Sequence, residues 1–240
     1  MTNRQEKDPN NIKEMFGHIA KHYDRANAVM SLNFHHFWNR KLIQSVLSCH
    51  VPKRYLDLCC GTGEIALGLL DASLGPCEAF LLDFCPEMLV YAEEKARKKG
   101  KTLHQIHYLQ ADAQEIPLPS ESIDAVTIAY GIRNVADPFR CCQEVLRVLR
   151  PGGCFGVLEL TRPENPLLKW GHQVYLRGFL PIVGKWIASN PSAYHYLRRS
   201  IHSFIPPKEL ENVLTKSGFA KVERHALCGG TATRLLALKK

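Results

Sequence analysis

The sequence predicts an α/β fold built on a mostly parallel sheet of seven strands. Short β-rich runs alternate with helical stretches from Arg54 onward, and this alternation is typical of βαβ units whose parallel sheet is covered on both faces. A tight glycine turn, Gly61-Thr62-Gly63, follows the first β-rich run and leads into a helical stretch. At 240 residues, the chain is long enough for one well-buried domain with material left for a lid.

The predicted elements follow one another in a regular order. The seven predicted strands are Tyr55–Cys59, Ala79–Asp83, Ile106–Gln110, Ala125–Tyr130, Cys154–Leu160, Val222–Cys228 and Leu235–Leu238. The predicted helices are Ile12–Arg25, Phe37–Ser48, Glu64–Leu70, Glu87–Lys99, Phe139–Leu149 and Pro206–Ser217. Gly100 and the Pro151-Gly152-Gly153 run indicate helix ends. The Gly229-Gly230 turn predicts that the last two strands form a hairpin at the sheet edge.

We interpret residues 1–240 as a single domain with four regions. Residues 1–50 form an N-terminal helical cap, and residues 51–162 form the core that contains the glycine turn. Residues 163–205 are rich in aromatics and leucine and carry no strand signal, so they predict an inserted helical lid. Residues 206–240 return to regular structure as a C-terminal helix and the edge hairpin.

Composition limits the class of protein. The polar N-terminus lacks the apolar segment of a signal peptide, and no stretch approaches the roughly 20 apolar residues of a membrane span. We therefore expect a cytoplasmic protein. The net charge of +8 fits an anionic partner, either nucleic acid or an anionic membrane surface, or solubility alone. The nine cysteines have no Cys-x-x-Cys spacing, so we expect packed, reduced thiols and no metal site.

Acidic residues lie at the ends of the first three predicted strands, at Asp57 with Glu64, at Asp83 and at Asp112. The segment Gly61–Ala66 also matches the dinucleotide pattern G-x-G-x-x-G/A, with Asp83 at the spacing of a ribose-binding acid. A dinucleotide would place its anionic pyrophosphate on this turn, where two nearby carboxylates oppose it by about a few kcal/mol. S-adenosylmethionine carries a sulfonium and an ammonium with only one carboxylate, so the charges favour it.

The strand ends therefore predict a site for S-adenosylmethionine. The glycines let the backbone approach the methionine moiety, and an acid near the turn can accept the ammonium. Asp83 can accept both ribose hydroxyls, and Asp112 with Ala113 can lie at the adenine edge. The alternative interpretation is that these acids are helix N-caps on a sheet without a ligand.

Further motifs extend along nearly the whole chain. They are Met15–Ala20, Tyr23-Asp24, Asn27, Ser31, Trp38, Asp57–Glu64, Pro86–Leu89, Gly131–Val135, Arg147–Gly153, Leu158-Glu159 and Tyr194–Ile201. In these stretches the chain resembles the class I S-adenosylmethionine-dependent methyltransferases, which have a Rossmann-like fold. Among them it is similar to the quinone C-methyltransferases of the UbiE/MenG type, for which Gly131–Val135 and Tyr23-Asp24 are specific. The predicted cofactor residues are Asp57, Gly61, Thr62, Gly63, Asp83, Met88, Asp112 and Ala113.

The resemblance implies C-methylation of a polyprenyl quinol, with demethylmenaquinol as the favoured substrate. A 2-polyprenyl-6-methoxy-benzoquinol or another small phenol is the alternative. Methylating an aromatic carbon needs a reduced ring with a partly deprotonated hydroxyl, and because a phenol has a pKa of about 10, the site must stabilise the phenolate. Arg133 suits a phenolate oxygen as a permanent cation, Asn134 can position the second oxygen, and Tyr23 can close the site as a donor.

Two further groups of residues are candidates for contact with the substrate. His35-His36 and Trp38 could approach the ring, although packing is the commoner role of such residues. The lid residues could form a tunnel for a polyprenyl tail or simply the core of the lid; they are Trp170, Tyr175, Leu176, Phe179, Leu180, Ile182 and Trp186. We also expect reversible contact with the inner face of an anionic membrane through basic lid residues, and a homodimer is a further candidate assembly.

Several features depart from the family pattern or indicate rival functions. Cys59-Cys60 replaces small residues in the glycine turn, Ala129 and Arg199 differ from the usual residues, and the C-terminal ending diverges. A nucleic-acid methyltransferase would need a turn that holds a flipped base after the fourth strand, and Gly131-Ile132-Arg133-Asn134 is not one, so we expect no nucleic-acid partner. An O-methyltransferase for another small phenol is closer. A non-catalytic binding module would bind the cofactor without turnover.

Overall fold

One seven-stranded sheet organises the protein. The computed structural model describes residues 14–17, 20, 23–73, 75–100, 104–179 and 191–240. The strands are Arg54–Leu58 (β1), Glu78–Asp83 (β2), Gln105–Gln110 (β3), Ile123–Ala129 (β4), Leu149–Leu160 (β5), Lys221–Leu227 (β6) and Ala232–Leu238 (β7). Their order in the sheet is β3-β2-β1-β4-β5-β7-β6. Strands β1 to β5 are parallel, whereas β7 is antiparallel to both of its neighbours, which confirms the predicted edge hairpin.

The helices connect the strands and cover both faces of the sheet. They are Tyr23–Met30 (α1), Phe34–Cys49 (α2), Glu64–Ala72 (α3), Pro86–Lys98 (α4), Pro138–Val148 (α5), Pro166–Val174 (α6), Pro191–Ser203 (α7) and Pro207–Lys216 (α8). Short helical turns follow β4 at Ile132–Asn134, follow α6 at Tyr175–Phe179, and join β6 to β7 at Cys228–Gly230. The hydroxyl of Tyr175 donates to the carbonyl of Met30, so the lid contacts the N-terminal cap.

Two apolar layers fill the space between the sheet and its helices. Because neighbouring side chains on a strand point to opposite faces, Leu56 and Leu58 pack in one layer and Tyr55 in the other. Helices α2, α3 and α4 cover the Tyr55 face, and helices α5 and α8 cover the opposite face. The central strands are therefore buried on both sides, as a parallel sheet requires.

The structure changes the bounds of several predicted elements. β5 begins at Leu149, five residues before the predicted start, because Pro151-Gly152-Gly153 does not end the pairing. Instead, Gly152 donates to Lys239 O at 3.2 Å and Lys239 donates to Gly153 O at 2.9 Å, so the C-terminus holds this run in the sheet. β7 likewise begins at Ala232, three residues early. The predicted helix Ile12–Arg25 lies partly outside the described residues.

The lid consists of α6, the turn Tyr175–Phe179 and α7 in the part that the structure describes; residues 180–190 lie outside it. Helix α6 packs against the hairpin turn. Leu168 lies so close to this turn that a Cβ added at Gly229 would be 2.7 Å from Leu168 Cδ1. Among the described residues, no helix combines the length and apolarity needed to cross a bilayer.

Candidate functional site

Two neighbouring cavities open at the carboxyl ends of the parallel strands, where ligands bind in sheets of this kind. The smaller cavity has a volume of about 120 Å³ and lies over the ends of β1, β2 and β4. The larger cavity, of about 450 Å³, lies between the N-terminal helices and the lid. Tyr23 and Tyr130 line both cavities, so these two rings form the boundary between them.

The glycine turn forms the floor of the smaller cavity. Gly61 and Gly63 have φ angles of +53° and +77°, a left-handed conformation that favours glycine. A Cβ at Gly63 would also lie 3.2 Å from Leu81 Cδ2 and 3.3 Å from Ala92 Cβ, so this position has little room for a side chain. Of these two glycines, Gly61 lines the cavity, whereas Gly63 lies outside its lining and packs against Leu81 and Ala92. The predicted contact of Gly63 with the cofactor stays a prediction.

Asp83 organises this turn. Its carboxylate accepts the backbone N–H of Gly61 at 2.8 Å and that of Cys85 at 2.9 Å, which fixes the side chain at the end of β2. Burial raises the pKa of Asp83, although backbone donors at Cys85, Gly61 and Phe84 oppose the shift. Because a carboxylate has about four lone-pair sites, it can still accept from the ribose in the cavity.

The charge of the smaller cavity fits S-adenosylmethionine. Its described lining contains the two carboxylates Asp83 and Asp112 and no cationic side chain. Asp112 accepts the backbone and side-chain N–H groups of Gln114 at 2.8 Å and 3.1 Å, and the buried Ala113 lies beside it. Met88 contributes an apolar wall. A pyrophosphate would meet only negative charge here, whereas the sulfonium and ammonium of S-adenosylmethionine are favoured.

Asp57 lies beneath the turn and is fully buried. It accepts the Thr127 hydroxyl at 2.6 Å and the backbone N–H of Ala66 at 3.2 Å, so it joins β1, β4 and the first turn of α3. Burial raises the pKa of Asp57 to about 7, with Asp83 adding to the shift and the hydrogen bonds opposing it. A bound ammonium would favour the ionised form.

The side chain of Thr62 points to the N-terminal cap. Its hydroxyl donates to Asp24 at 2.5 Å, and Lys95 Nζ lies 2.5 Å from the other oxygen of Asp24. This contact joins α1 to the glycine turn and to α4. The structure therefore gives the Thr62 side chain a contact with Asp24, and the predicted contact of Thr62 with the cofactor stays a prediction.

Arg133 is buried at the base of the larger cavity, where it forms an ion pair. Its Nη1 lies 2.6 Å from Glu159 Oε1, and the same nitrogen donates to the carbonyl of Tyr130. Burial alone would lower the pKa of Arg133, but Glu159 outweighs it and raises the pKa. Nη2 makes no hydrogen bond to any described residue, so it is the donor that remains for a substrate oxygen.

The other two predicted catalytic residues lie at different places. Tyr23 lies between the cavities, and burial raises the pKa of its hydroxyl, which stays protonated and can donate. Asn134 lines the smaller cavity, and its Oδ1 accepts the Tyr196 hydroxyl at 2.9 Å. The structure thus places Asn134 on the cofactor side, away from the cavity that Arg133 lines. Its role at a second substrate oxygen stays a prediction.

Sequence reasoning did not single out Tyr130. It follows β4 directly, has a φ of +58°, and donates its hydroxyl to Asn39 at 2.8 Å. A left-handed conformation is rare for an aromatic residue and is retained where the surroundings impose it. The position just before Gly131-Ile132-Arg133 was the available signal, but the backbone angle has no signature in the sequence.

Gly131 explains how Cys59 fits the turn. A Cβ at Gly131 would lie 2.5 Å from Cys59 Cβ and 3.1 Å from its sulfur, and Cys59 itself has a φ of +50°. Cys59 therefore occupies the space that a side chain at residue 131 would need.

The substitution Gly131→Ala is expected to destabilise the protein by about 1–3 kcal/mol because of this overlap. The double variant Cys59→Gly/Gly131→Ala should recover most of the loss, since it removes the opposing Cβ. Thermal unfolding measures the stability of the single and the double variant. Gly75→Ala is the matched control, because no atom lies within 4 Å of its added Cβ. A double variant no more stable than Gly131→Ala would contradict this explanation.

The larger cavity is mostly apolar. Its walls include residues from helices α1, α2, α6 and α7, from the end of β5 and from the turns after α1 and α6: Met30, Leu32, Phe34, Trp38, Leu160, Leu167, Leu168, Tyr175, Leu197 and Ile201. Trp170, predicted as a tunnel residue, is instead 66% exposed on the outer face of α6, whereas Tyr175 does line the cavity. The side chains of the other predicted tunnel residues lie outside the described part.

The sheet order and the acidic cavity define a class I S-adenosylmethionine-dependent methyltransferase. A methyltransferase of this kind from Thermotoga maritima has the same fold, with a TM-score of 0.64 at 20% identity over 95% of this chain and 99% of that chain. Another from Aquifex aeolicus has a TM-score of 0.58 at 18% identity over 82% and 89% of the two chains.

Residues 1–239 match the ubiE/COQ5 methyltransferase family, and the chain belongs to this family. A demethylmenaquinone methyltransferase of Protochlamydia amoebophila is 50% identical over 231 residues, which cover 96% of each chain. One of Chlamydia pneumoniae is 37% identical over 229 residues, which cover 95% of this chain and 96% of the relative. These comparisons confirm the fold class, the cofactor and the family that the sequence predicts.

Proposed function

We propose that this protein methylates a ring carbon of demethylmenaquinol, using S-adenosylmethionine. The main support for this proposal is the arrangement of the two cavities. The buried Arg133 lines the apolar cavity of about 450 Å³, and this cavity shares Tyr23 and Tyr130 with the acidic cofactor cavity. A naphthoquinol ring with an apolar tail fits walls of this kind, because they bury apolar surface while one polar group orients the ring. The identity of 50% to a demethylmenaquinone methyltransferase supports the same substrate.

The residues of the chain supply the orientation and the electrostatics of the reaction. S-adenosylmethionine, when bound at Asp83, Asp112 and the glycine turn, supplies an electrophilic methyl group. Arg133 Nη2 donates to the quinol oxygen and stabilises its deprotonated form. Because Glu159 already balances the charge of Arg133, the substrate oxygen meets an oriented N–H donor more than a net positive charge. Tyr23 closes the boundary between the two ligands and excludes water.

The test is methylation by the purified protein. Demethylmenaquinol kept reduced with dithionite should gain one methyl group in the presence of S-adenosylmethionine, as read by mass spectrometry of the extracted lipid. A parallel reaction with 2-polyprenyl-6-methoxy-benzoquinol should be much slower. A faster reaction with the benzoquinol would assign the protein to that substrate instead, and methylation of neither would refute the proposal.

The substrate is a lipid, and an exposed apolar surface lies beside the mouth of its cavity. Leu167 lies at the edge of the cavity and shares one face of α6 with Trp170 and Val174, and all three are strongly exposed. Leu32 and Phe34, also exposed, line the same mouth from the N-terminal cap. We assign this outer face of α6 to reversible contact with an anionic membrane, in which aromatic and leucine side chains enter the interface. Arg177, exposed in the turn that follows α6, meets the headgroups.

The substitution Trp170→Glu is expected to weaken binding to vesicles of phosphatidylcholine and phosphatidylglycerol by roughly tenfold or more, since a buried aromatic contributes about 1.5–3 kcal/mol. Flotation at low salt measures the bound fraction. Val90→Glu is the matched control, because Val90 is 54% exposed on α4, which contributes nothing to the cavity mouth.

Equal binding of both variants and the unchanged protein would contradict the membrane assignment. The other expected partner, a second copy of the chain, is distinguished by sedimentation without lipid. If the α6 face pairs two copies, the protein sediments as a dimer and Trp170→Glu makes it monomeric.

A further inference from the structure

Ser31, His35 and Glu64 form a line of polar contacts from the larger cavity to the surface. Ser31 Oγ lies 2.7 Å from His35 Nδ1, and His35 Nε2 lies 3.5 Å from Glu64 Oε1. Ser31 and His35 line the cavity, and His35 is only 4% exposed. Glu64 is 33% exposed and therefore reaches solvent.

Glu64 determines which ring nitrogen of His35 carries the hydrogen, and therefore how Ser31 donates. An ionised carboxylate only accepts, so the His35 nitrogen facing it, Nε2, bears the hydrogen. Nδ1 is then an acceptor and the Ser31 hydroxyl donates to it. The carbonyl of Asn27 is a second acceptor 2.7 Å from the same oxygen. Ser31 Oγ also accepts the backbone N–H of His35 at 3.3 Å. Ser31 can therefore donate to one acceptor while its remaining lone pair accepts from a hydroxyl in the cavity.

The surroundings keep His35 neutral. Burial and, to a smaller extent, the neighbouring His36 lower its pKa to about 4, and Asp24 opposes the shift. The groups that face His35 are therefore His36 on its own helix, Asp24 on α1, Glu64 on α3, and Ser31. A neutral imidazole can accept a proton at Nδ1 and release the one that it carries on Nε2, and its low pKa keeps the doubly protonated form short-lived.

We propose that Ser31, His35 and Glu64 relay the hydroxyl proton of the substrate to solvent. The substrate O–H bond breaks, its electron pair stays on the oxygen beside Arg133, and its proton bonds to Ser31 Oγ. The former Ser31 proton bonds to His35 Nδ1, and the Nε2 proton bonds to Glu64, which releases it to water. After methylation the ring carbon loses its hydrogen as a proton to water, and the oxygen regains a proton through the same three groups in reverse, which restores the hydrogen on His35 Nε2, so each turnover releases one proton overall.

This relay rests on the proposed function, because it assumes a phenolic substrate in the larger cavity. In this relay Ser31 is the catalytic residue that touches the substrate, whereas His35 and Glu64 act through Ser31. Ser31→Ala removes the first acceptor, and we expect kcat to fall roughly 100-fold or more, the effect of losing a proton-transfer group. The KM for the quinol should change little. Ser48→Ala is the matched control, since the Ser48 hydroxyl, like that of Ser31, lies within hydrogen-bond distance of a helix carbonyl but is on the outer side of α2.

A second measurement uses no methyl transfer. 1-Naphthol bound to the protein should show the absorbance of its ionised form at a lower pH than free 1-naphthol does. Ser31→Ala and His35→Gln should move this ionisation back toward the free value, while Ser48→Ala leaves it unchanged. ¹⁵N chemical shifts of the imidazole should show hydrogen on Nε2 of His35. Hydrogen on Nδ1, or an unchanged kcat and naphthol ionisation in Ser31→Ala, would overturn the relay.

The two proposals fail in different ways. Ionisation of bound 1-naphthol that depends on Ser31, without methylation of any polyprenyl quinol, would retain the relay and refute the substrate. Normal methylation of demethylmenaquinol by Ser31→Ala would retain the substrate and refute the relay.

Discussion

Replacing Glu159 with alanine is expected to lower the free energy of unfolding by about 3–5 kcal/mol, because the guanidinium of Arg133 would stay buried without its partner. Glu159 is fully buried, and its carboxylate accepts from Arg133 Nη1 at 2.6 Å and from the backbone N–H of Leu160 at 2.7 Å. It also accepts the backbone N–H of Arg133 at 3.2 Å. Urea unfolding followed by circular dichroism measures the loss.

The double variant Arg133→Met/Glu159→Met separates stability from catalysis. It leaves no unpaired charge, so it should recover at least half of the stability that Glu159→Ala loses. Its kcat with demethylmenaquinol should nevertheless stay roughly 100-fold or more below that of the unchanged protein, because the donor to the quinol oxygen is absent. A near-normal kcat would show that Arg133 only supports the structure.

An exposed ion pair provides the control for burial. Lys221 and Glu223 lie 2.7 Å apart, a similar distance, but both side chains are solvent-exposed. Glu223→Ala should leave the urea midpoint unchanged within error, because surface pairs contribute little.

Replacing Asp83 with alanine is expected to weaken binding of S-adenosylhomocysteine roughly 100-fold or more. Hydrogen bonds to a charged group contribute about 1.5–3 kcal/mol each, and the ribose would lose its carboxylate acceptor. The backbone N–H groups of Gly61 and Cys85 would also lose theirs, so the glycine turn would loosen. Isothermal titration calorimetry gives the affinity, and Asp83→Asn should lie between alanine and the unchanged protein.

Asp71→Ala is the control for the loss of a carboxylate. Asp71 lies on α3 but pairs with Lys99 at 3.3 Å, and it lies outside the lining of the cofactor cavity. The affinity of the Asp71→Ala variant for S-adenosylhomocysteine should equal that of the unchanged protein. If Asp83→Ala also bound normally while Asp112→Ala did not, the ribose would have to be assigned to Asp112.

Local patterns were sufficient to predict most of the fold. The alternation of strands and helices predicts seven strands, and all seven are present in one sheet. The errors occur where pairing partners are distant in sequence. The Pro151-Gly152-Gly153 run has the local pattern of a helix end. Its backbone nevertheless pairs with Lys239, which lies much later in the chain. A local pattern carries no information about such a partner.

The candidate site could likewise be predicted from the sequence only in part. Acids and glycines at strand ends could be assigned to a cofactor, because parallel strands bring their carboxyl ends to one edge of the sheet. The partner of Arg133 could not be found in this way, since Glu159 lies 26 residues away along the chain. The outward direction of Trp170 depends on how α6 packs against the hairpin turn and the N-terminal cap.

The fold class, the cofactor and the family could be predicted from the sequence, because these depend on periodicity, on the charges around one turn and on contiguous motifs. Tertiary structure decided that Arg133 is balanced by a buried carboxylate, that Asn134 lies on the cofactor side, and that Ser31, His35 and Glu64 meet beside the substrate cavity. The physical reason is that these contacts join separate strands and helices, and their distances are determined only when the sheet brings those elements together.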